Sequence, residues 1–127
     1  MCCLNTKTKE VQWSGAYNSL WYFREGILYE IDADKQPIGK NDKPTPFNTH
    51  NLKIQKDDIL YLYTDGFADQ FGGPKGKKFH FKKMKELLLL NALMPMPEQK
   101  MELEKTLKEW KGNLEQVDDI LVIGIQI

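Results

Sequence analysis

Apolar positions fall into short blocks whose period changes part-way along the chain. Up to Tyr63 the blocks are strand-like. Val11-Gln12-Trp13-Ser14-Gly15 reads as a short strand closing on a glycine. Leu20-Trp21-Tyr22-Phe23 and Ile27 to Ile31 flank Arg24-Glu25-Gly26, and aromatic or branched residues on both sides of a glycine turn predict a hairpin. Residues 32–46, with three prolines and many charges, predict a loop. Phe47 to Ile54 alternates loosely, as an edge strand does. Lys56-Asp57-Asp58 reads as a plain turn, and Ile59 to Tyr63 as a strand covered on both faces.

Beyond Tyr63 the period lengthens. Gln70 to Lys78 is rich in glycine and lysine and reads as a flexible surface loop. Phe81, Met84 and Leu88, with Leu87, Leu90 and Met94, follow helical spacing and predict a helix over 82–93, stopped by Pro95 and Pro97. Pro97-Glu98-Gln99 suits a second helix start. Leu103, Leu107, Trp110 and Leu114 mark its apolar stripe, and Gly112-Asn113 its stop. Ile120 to Ile127 predicts a terminal strand. Strands, two antiparallel helices and a strand, in that order, point to an α+β fold with a helix pair on one face of a mainly antiparallel sheet.

At 127 residues the chain fits a single domain over 1–127. Eighteen basic residues balance 18 acidic ones, so no global field draws in nucleic acid or an anionic membrane. No apolar run approaches the roughly 20 residues that span a bilayer, and the start lacks a secretion signal, so a cytoplasmic location is expected. Adjacent Cys2 and Cys3 suit neither a disulfide nor a metal site, and with Leu4 they are expected to be buried, inert thiols of a strand. An opening directly inside an apolar strand hints at preceding sequence.

The candidate chemistry lies at two strand rims. Leu60 to Tyr63 runs into Thr64-Asp65-Gly66-Phe67-Ala68-Asp69, and Gln116-Val117-Asp118-Asp119 opens the last strand. Carboxylates at neighbouring rims can converge on a hard divalent cation, which takes oxygen ligands. Taken singly, each is equally a turn acid beside a strand. His50 and His80 have no ligand spacing. Lys75, Lys77 and Lys78 form a basic cluster, but Gly72 to Lys77 lacks the ending of a P-loop, and a solvated loop is expected. Trp13, Trp21, Tyr22, Phe23 and Trp110 read as packing residues.

Tyr63-Thr64-Asp65-Gly66, Gln116 to Val122 and Ala33 to Gly39, together with the helix pair between the acidic motifs, resemble the SpoIIE/RsbU-type serine phosphatases of the metal-dependent PP2C-like (PPM) superfamily. The segment Phe71 to Phe79 looks like the version found in large bacterial sensor proteins, where the phosphatase is the output domain. The resemblance covers nearly the whole chain. It implies part of a PP2C-like α/β/β/α sandwich, with Asp65 and Asp118 as ligands of Mn²⁺ or Mg²⁺. Asp119 stands where the family tolerates Asn and is implied to support the metal site from behind the ligands or to be structural, Gly66 would turn the backbone beside the ion, and Asp69 could hold a metal-bound water. The chemistry implied is hydrolysis of phosphoserine or phosphothreonine by metal-activated water, on a phosphorylated regulatory protein such as an anti-sigma-factor antagonist.

One departure matters. The family carries an upstream Asp and a Gly-His-Gly-like turn that bridge two metals, and this sequence has neither. The chain therefore reads as the C-terminal part of the domain, with weak metal binding, little catalysis alone, exposed sheet edges and a tendency to self-association or rearrangement. A non-catalytic interaction module, binding a partner through the helix pair and the Lys-rich loop, is the competing reading.

Overall fold

The computed structural model describes residues 1–40, 42–43 and 45–127; Asn41 and Pro44, both in the predicted 32–46 loop, lie outside the described residues. The elements are β1 (Cys2–Asn5), β2 (Glu10–Trp13), β3 (Leu20–Arg24), β4 (Ile27–Ile31), β5 (His50–Lys53), β6 (Ile59–Tyr63), α1 (Gly66–Asp69), β7 (Phe71–Gly72), β8 (Lys77–Lys78), α2 (Phe81–Asn91), α3 (Met96–Lys111) and β9 (Val122–Gln126). One sheet has the order β1-β2-β5, a second β4-β3-β6-β9, and β7 pairs with β8. All of these ladders are antiparallel. The α+β class, the β3–β4 hairpin and the edge position of β5 agree with the sequence reading.

Strand alternation divides the core into two layers. On β6, Ile59, Tyr61 and Tyr63 face the helices, joining Trp21, Phe23, Phe67, Phe79, Met84 and Leu88. Leu60 faces the other sheet with Val11, Trp13, Leu20 and Ile54, and half-buried Leu62 and Ile125 flank it. A strand used on both faces must be apolar throughout, which is why Ile59 to Tyr63 shows no polar alternation. Tyr61 donates to Gln99 Oε1 at 2.9 Å, and Gln99 Nε2 donates to the Met94 carbonyl at 2.9 Å. Buried Gln99 thereby ties the α2–α3 turn to the sheet.

Several expectations are corrected. Cys3 is exposed and Cys2 half-buried, because β1 turns alternate residues to opposite faces. Burial raises the Cys2 thiol pKa. Gln70 to Lys78 is not a plain loop. It contains the β7–β8 hairpin, whose glycines press against α3: the Gly73 amide donates to the Trp110 carbonyl at 2.8 Å, and a Cβ on Gly72 would stand 1.8 Å from that oxygen. Asp58 is not merely a turn residue. It is 1% exposed, accepts from Arg24 Nε at 2.9 Å and Nη2 at 2.6 Å, and caps the Gln55 amide at 2.7 Å. The helical stripe is also narrower than its spacing implies, since Leu90 and Leu114 are exposed.

In the predicted loop, Asp34 anchors both ends. Its amide donates to the Gly15 carbonyl at 2.9 Å, and its carboxylate accepts from the Asn48 amide and side chain at 2.8 and 2.6 Å.

Candidate metal-binding rim

β6 and β9 are neighbours, with Tyr63 opposite Val122, so the residues just beyond Tyr63 and just before Val122 meet at one end of the sheet. Thr64 makes the join. Its amide donates to the Leu121 carbonyl at 3.0 Å, its hydroxyl donates to the Asp119 carbonyl at 2.8 Å, and the same hydroxyl accepts from the Leu121 amide at 2.9 Å. The two acidic motifs are thereby side by side.

Asp65 follows immediately as the N-cap of the single-turn α1. It is exposed, and its carboxylate does not cap the helix. Gly66 is buried, and its role differs from the expected sharp turn: its φ is not in the left-handed region. A Cβ there would stand 2.4 Å from the Asp119 carbonyl oxygen, so glycine is needed for close approach between the rims.

Asp118 and Asp119 are both exposed. Asp118 Oδ1 accepts from the Asp119 amide at 2.7 Å, and Gln116 Nε2 donates to the Asp118 carbonyl at 2.8 Å. These bonds fix the turn and leave Asp118 Oδ2 free of the turn's own bonding. Asp69 lies one turn beyond Asp65, its amide donating to the Asp65 carbonyl at 2.9 Å. Its carboxylate pairs with Lys78 Nζ at 3.1 Å, so it serves the hairpin rather than standing free over the rim.

Two residues gave no signal for their roles in the sequence. Thr64 sits inside the acidic motif but becomes a staple only once β9 is alongside. Gln70, fully buried, donates from Nε2 to the Glu115 carbonyl at 2.9 Å and accepts from Trp110 Nε1 at its backbone oxygen at 3.0 Å. It holds the segment that leads from α3 into Asp118.

The donor chemistry at the rim is all oxygen, the set a hard divalent cation takes. Among the described residues, no group of three or more His, Cys, Asp or Glu side chains is arranged to hold a metal ion. No helix among them is long and apolar enough to cross a membrane.

A family model described as Stage II sporulation protein E (SpoIIE) matches residues 1–127. The chain belongs to the SpoIIE family. The fold agrees. This SpoIIE-family chain superposes on the SiaA-PP2C domain of Pseudomonas aeruginosa with a TM-score of 0.87 and 27% identity, over 98% of this chain and 49% of that one. It matches the SpoIIE phosphatase domain from Bacillus subtilis (Mn presoaked) with a TM-score of 0.71 and 16% identity, over 100% of this chain and 55% of that one. For the RsbU and RsbW domains of a Mycobacterium tuberculosis protein the TM-score is 0.64 and the identity 17%, over 98% of this chain and 35% of that one. The chain thus spans about half the length of the first two domains. No curated protein sequence matches it.

Proposed function

We propose that this chain contributes the Asp65 and Asp118 rims of a metal-dependent phosphoserine/phosphothreonine protein phosphatase, acting as the output domain of a bacterial signalling protein. The observation that carries the reading is the triple hydrogen bond of Thr64 to Asp119 and Leu121, which brings the two acidic motifs together. Asp65 and Asp118 would hold Mn²⁺ or Mg²⁺. Asp119 would support them through its backbone, and Gly66 through its close fit against that backbone. The bound ions would supply an activated water and charge neutralisation for the phosphate. The side chains of this rim bind and orient; none of them is needed as a nucleophile. The substrate would be a phosphorylated regulatory protein such as an anti-sigma-factor antagonist, in the cytoplasm.

The two carboxylates account for one ion at most, and the upstream Asp and Gly-His-Gly-like turn that bridge two metals in the family are not in this sequence, so hydrolysis by this chain alone is expected to be negligible. The test is therefore Mn²⁺ binding by titration calorimetry, with Asp65→Asn and Asp118→Asn as variants. Each variant is expected to weaken binding about tenfold, the change that about 1.4 kcal/mol produces. Unchanged affinity in both would sink the assignment. Hydrolysis of a phosphoserine peptide with Mn²⁺, measured in parallel, is expected not to exceed that of Asp65→Asn.

A further inference from the structure

Tyr17 has a left-handed backbone, with a φ of +61°, an outlier for so bulky a side chain. The Asn18 amide donates to the Ala16 carbonyl at 2.7 Å, so Tyr17 is the centre of a three-residue γ-turn of the strained, positive-φ kind. The turn is held from outside. The Tyr17 amide donates to the Asp34 carbonyl and the Asp34 amide to the Gly15 carbonyl, both at 2.9 Å. Gly15 is itself wedged, since a Cβ there would stand 2.4 Å from the Trp13 ring. The Tyr17 side chain is 62% exposed and takes part in none of the aromatic pairs among the described residues. An unpacked ring on a strained backbone adds nothing to the fold, and strain of this kind concentrates at functional sites.

The ladders set this turn at the acidic end of the sheet. β3 lies between β4 and β6 and is antiparallel to both. Its first residue, Leu20, stands opposite Ile31, the last of β4, and Trp21 stands opposite Tyr61 of β6. The chain therefore enters β3 at the end where β6 runs out into Thr64 and Asp65 and where β9 begins. A side-chain contact crosses the same end: the Tyr63 hydroxyl meets the Ser19 backbone. Carried past the strand ends, the β3–β6 register sets Ser19 level with Tyr63 and Tyr17 level with Asp65. Neighbouring strands are about 4.8 Å apart. The Asp65 rim is thus bordered by the Asp118–Asp119 turn on the β9 side and by the γ-turn of Tyr17 on the β3 side.

We propose that Tyr17 is a specificity-determining residue whose ring packs against an apolar side chain flanking the phosphoserine of a protein substrate. The inference rests on the phosphatase reading and adds to it the chemistry of the substrate. Asparagine or glycine would adopt the same turn at lower cost, so the turn itself gives no reason for a tyrosine, and its side chain does. A tyrosine ring offers a large, rigid contact area with two rotatable bonds to freeze. An apolar flank suits this end of the sheet better than an acidic one, because exposed Asp65, Asp118 and Asp119 already gather three carboxylates there.

The test measures fluorescence anisotropy with Mn²⁺ and labelled peptides: a phosphoserine peptide with leucine flanks, the same peptide with glycine flanks, and the leucine peptide without phosphate. The protein is compared with Tyr17→Asn, Tyr17→Phe and Asp65→Asn, and the urea midpoint of each is recorded. Leucine flanks are expected to tighten binding about tenfold. Tyr17→Asn, which accepts the left-handed backbone but lacks the ring, should erase that preference without lowering the urea midpoint. Tyr17→Phe should keep it. Equal affinity for both flanks in the parent, including no measurable binding of either, would overturn the proposal, as would a preference that survives Tyr17→Asn or is lost in Tyr17→Phe. A urea midpoint that falls in Tyr17→Asn would assign the ring to the fold instead, and overturn it too. Asp65→Asn separates this inference from the reading beneath it, because it should weaken only the phosphate-dependent part. If it changes nothing while the flank preference vanishes in Tyr17→Asn, the Tyr17 contact stands and the phosphatase assignment falls.

Discussion

The hydroxyl of Thr64 donates to the Asp119 carbonyl and accepts the Leu121 amide, so one short side chain staples two acidic turns that lie 55 residues apart in sequence. Removing it costs both bonds and leaves a backbone amide and carbonyl to find water. Thr64→Val, nearly isosteric, is expected to lower stability by about 2 kcal/mol. It should also weaken Mn²⁺ binding although Thr64 itself is no ligand. Urea unfolding and calorimetry read the two effects, and a variant as stable as the parent would show that the staple is dispensable.

Asp57 and Asp58 are adjacent and chemically identical, yet the structure gives them opposite weights. Asp57 is exposed, whereas Asp58 is buried against Arg24. Asp58→Ala strands the Arg24 guanidinium and uncaps Gln55, and is expected to cost about 3 kcal/mol. Asp57→Ala should cost about 1 kcal/mol, from its left-handed φ of +69° rather than from any lost partner. Denaturant midpoints decide it, and similar losses for the two variants would refute the distinction.

Alkaline pH should unfold the protein through Tyr61. Burial pushes its phenol up to about 12, despite its hydrogen bond to Gln99. An unfolded tyrosine ionises near pH 10. The folded state therefore keeps a proton that the unfolded state has released, and stability, complete below about pH 10, falls as pH rises towards 12. Tyr63 is shifted in the same direction, by burial first and then by Glu30. The urea midpoint should drop across this window, with a shallower slope in Tyr61→Phe. A midpoint independent of pH from 10 to 12 would contradict the assignment of these phenols as buried.

The edge of β9 carries a fourth expectation. β9 is paired on one side only, by β6, and Leu121 and Ile123 are exposed beside a cavity of about 780 Å³ lined by Met96, Leu103, Leu107 and Val122. Such an edge templates further strands. The chain is expected to self-associate in a concentration-dependent way, and Ile123→Lys to suppress it, as sedimentation velocity would report. A monomer at all concentrations would set that expectation aside.

Much of the fold was legible because its signals are local. Ile59 to Tyr63 is an unbroken apolar run, and Gly26 sits in the turn between β3 and β4, at a φ of +83°. The two acidic motifs were legible for the same reason. What escaped depends on partners distant in sequence. Asp58 owes its burial to Arg24, and Gln70 its role to Glu115 and Trp110. The β7–β8 hairpin looks loop-like because its strands are two residues long and its glycines answer to Trp110 rather than to a local turn alone. Gly66 reads in the sequence as a bend, whereas its constraint is the Asp119 carbonyl against its α-carbon.

The distance in sequence between the stapled turns also sets an order of events in the cell. A ribosome adds roughly 5–20 residues per second. For several seconds after Thr64 and Asp65 leave the peptidyl-transferase centre, the acidic turn that must sit beside them has not been synthesised. Strand β6 must wait through the making of α2 and α3 before β9 can close on it. A nascent chain at that stage would offer a cation one rim and no more, so on the proposed reading metal capture would belong to the finished sheet rather than guide its early folding.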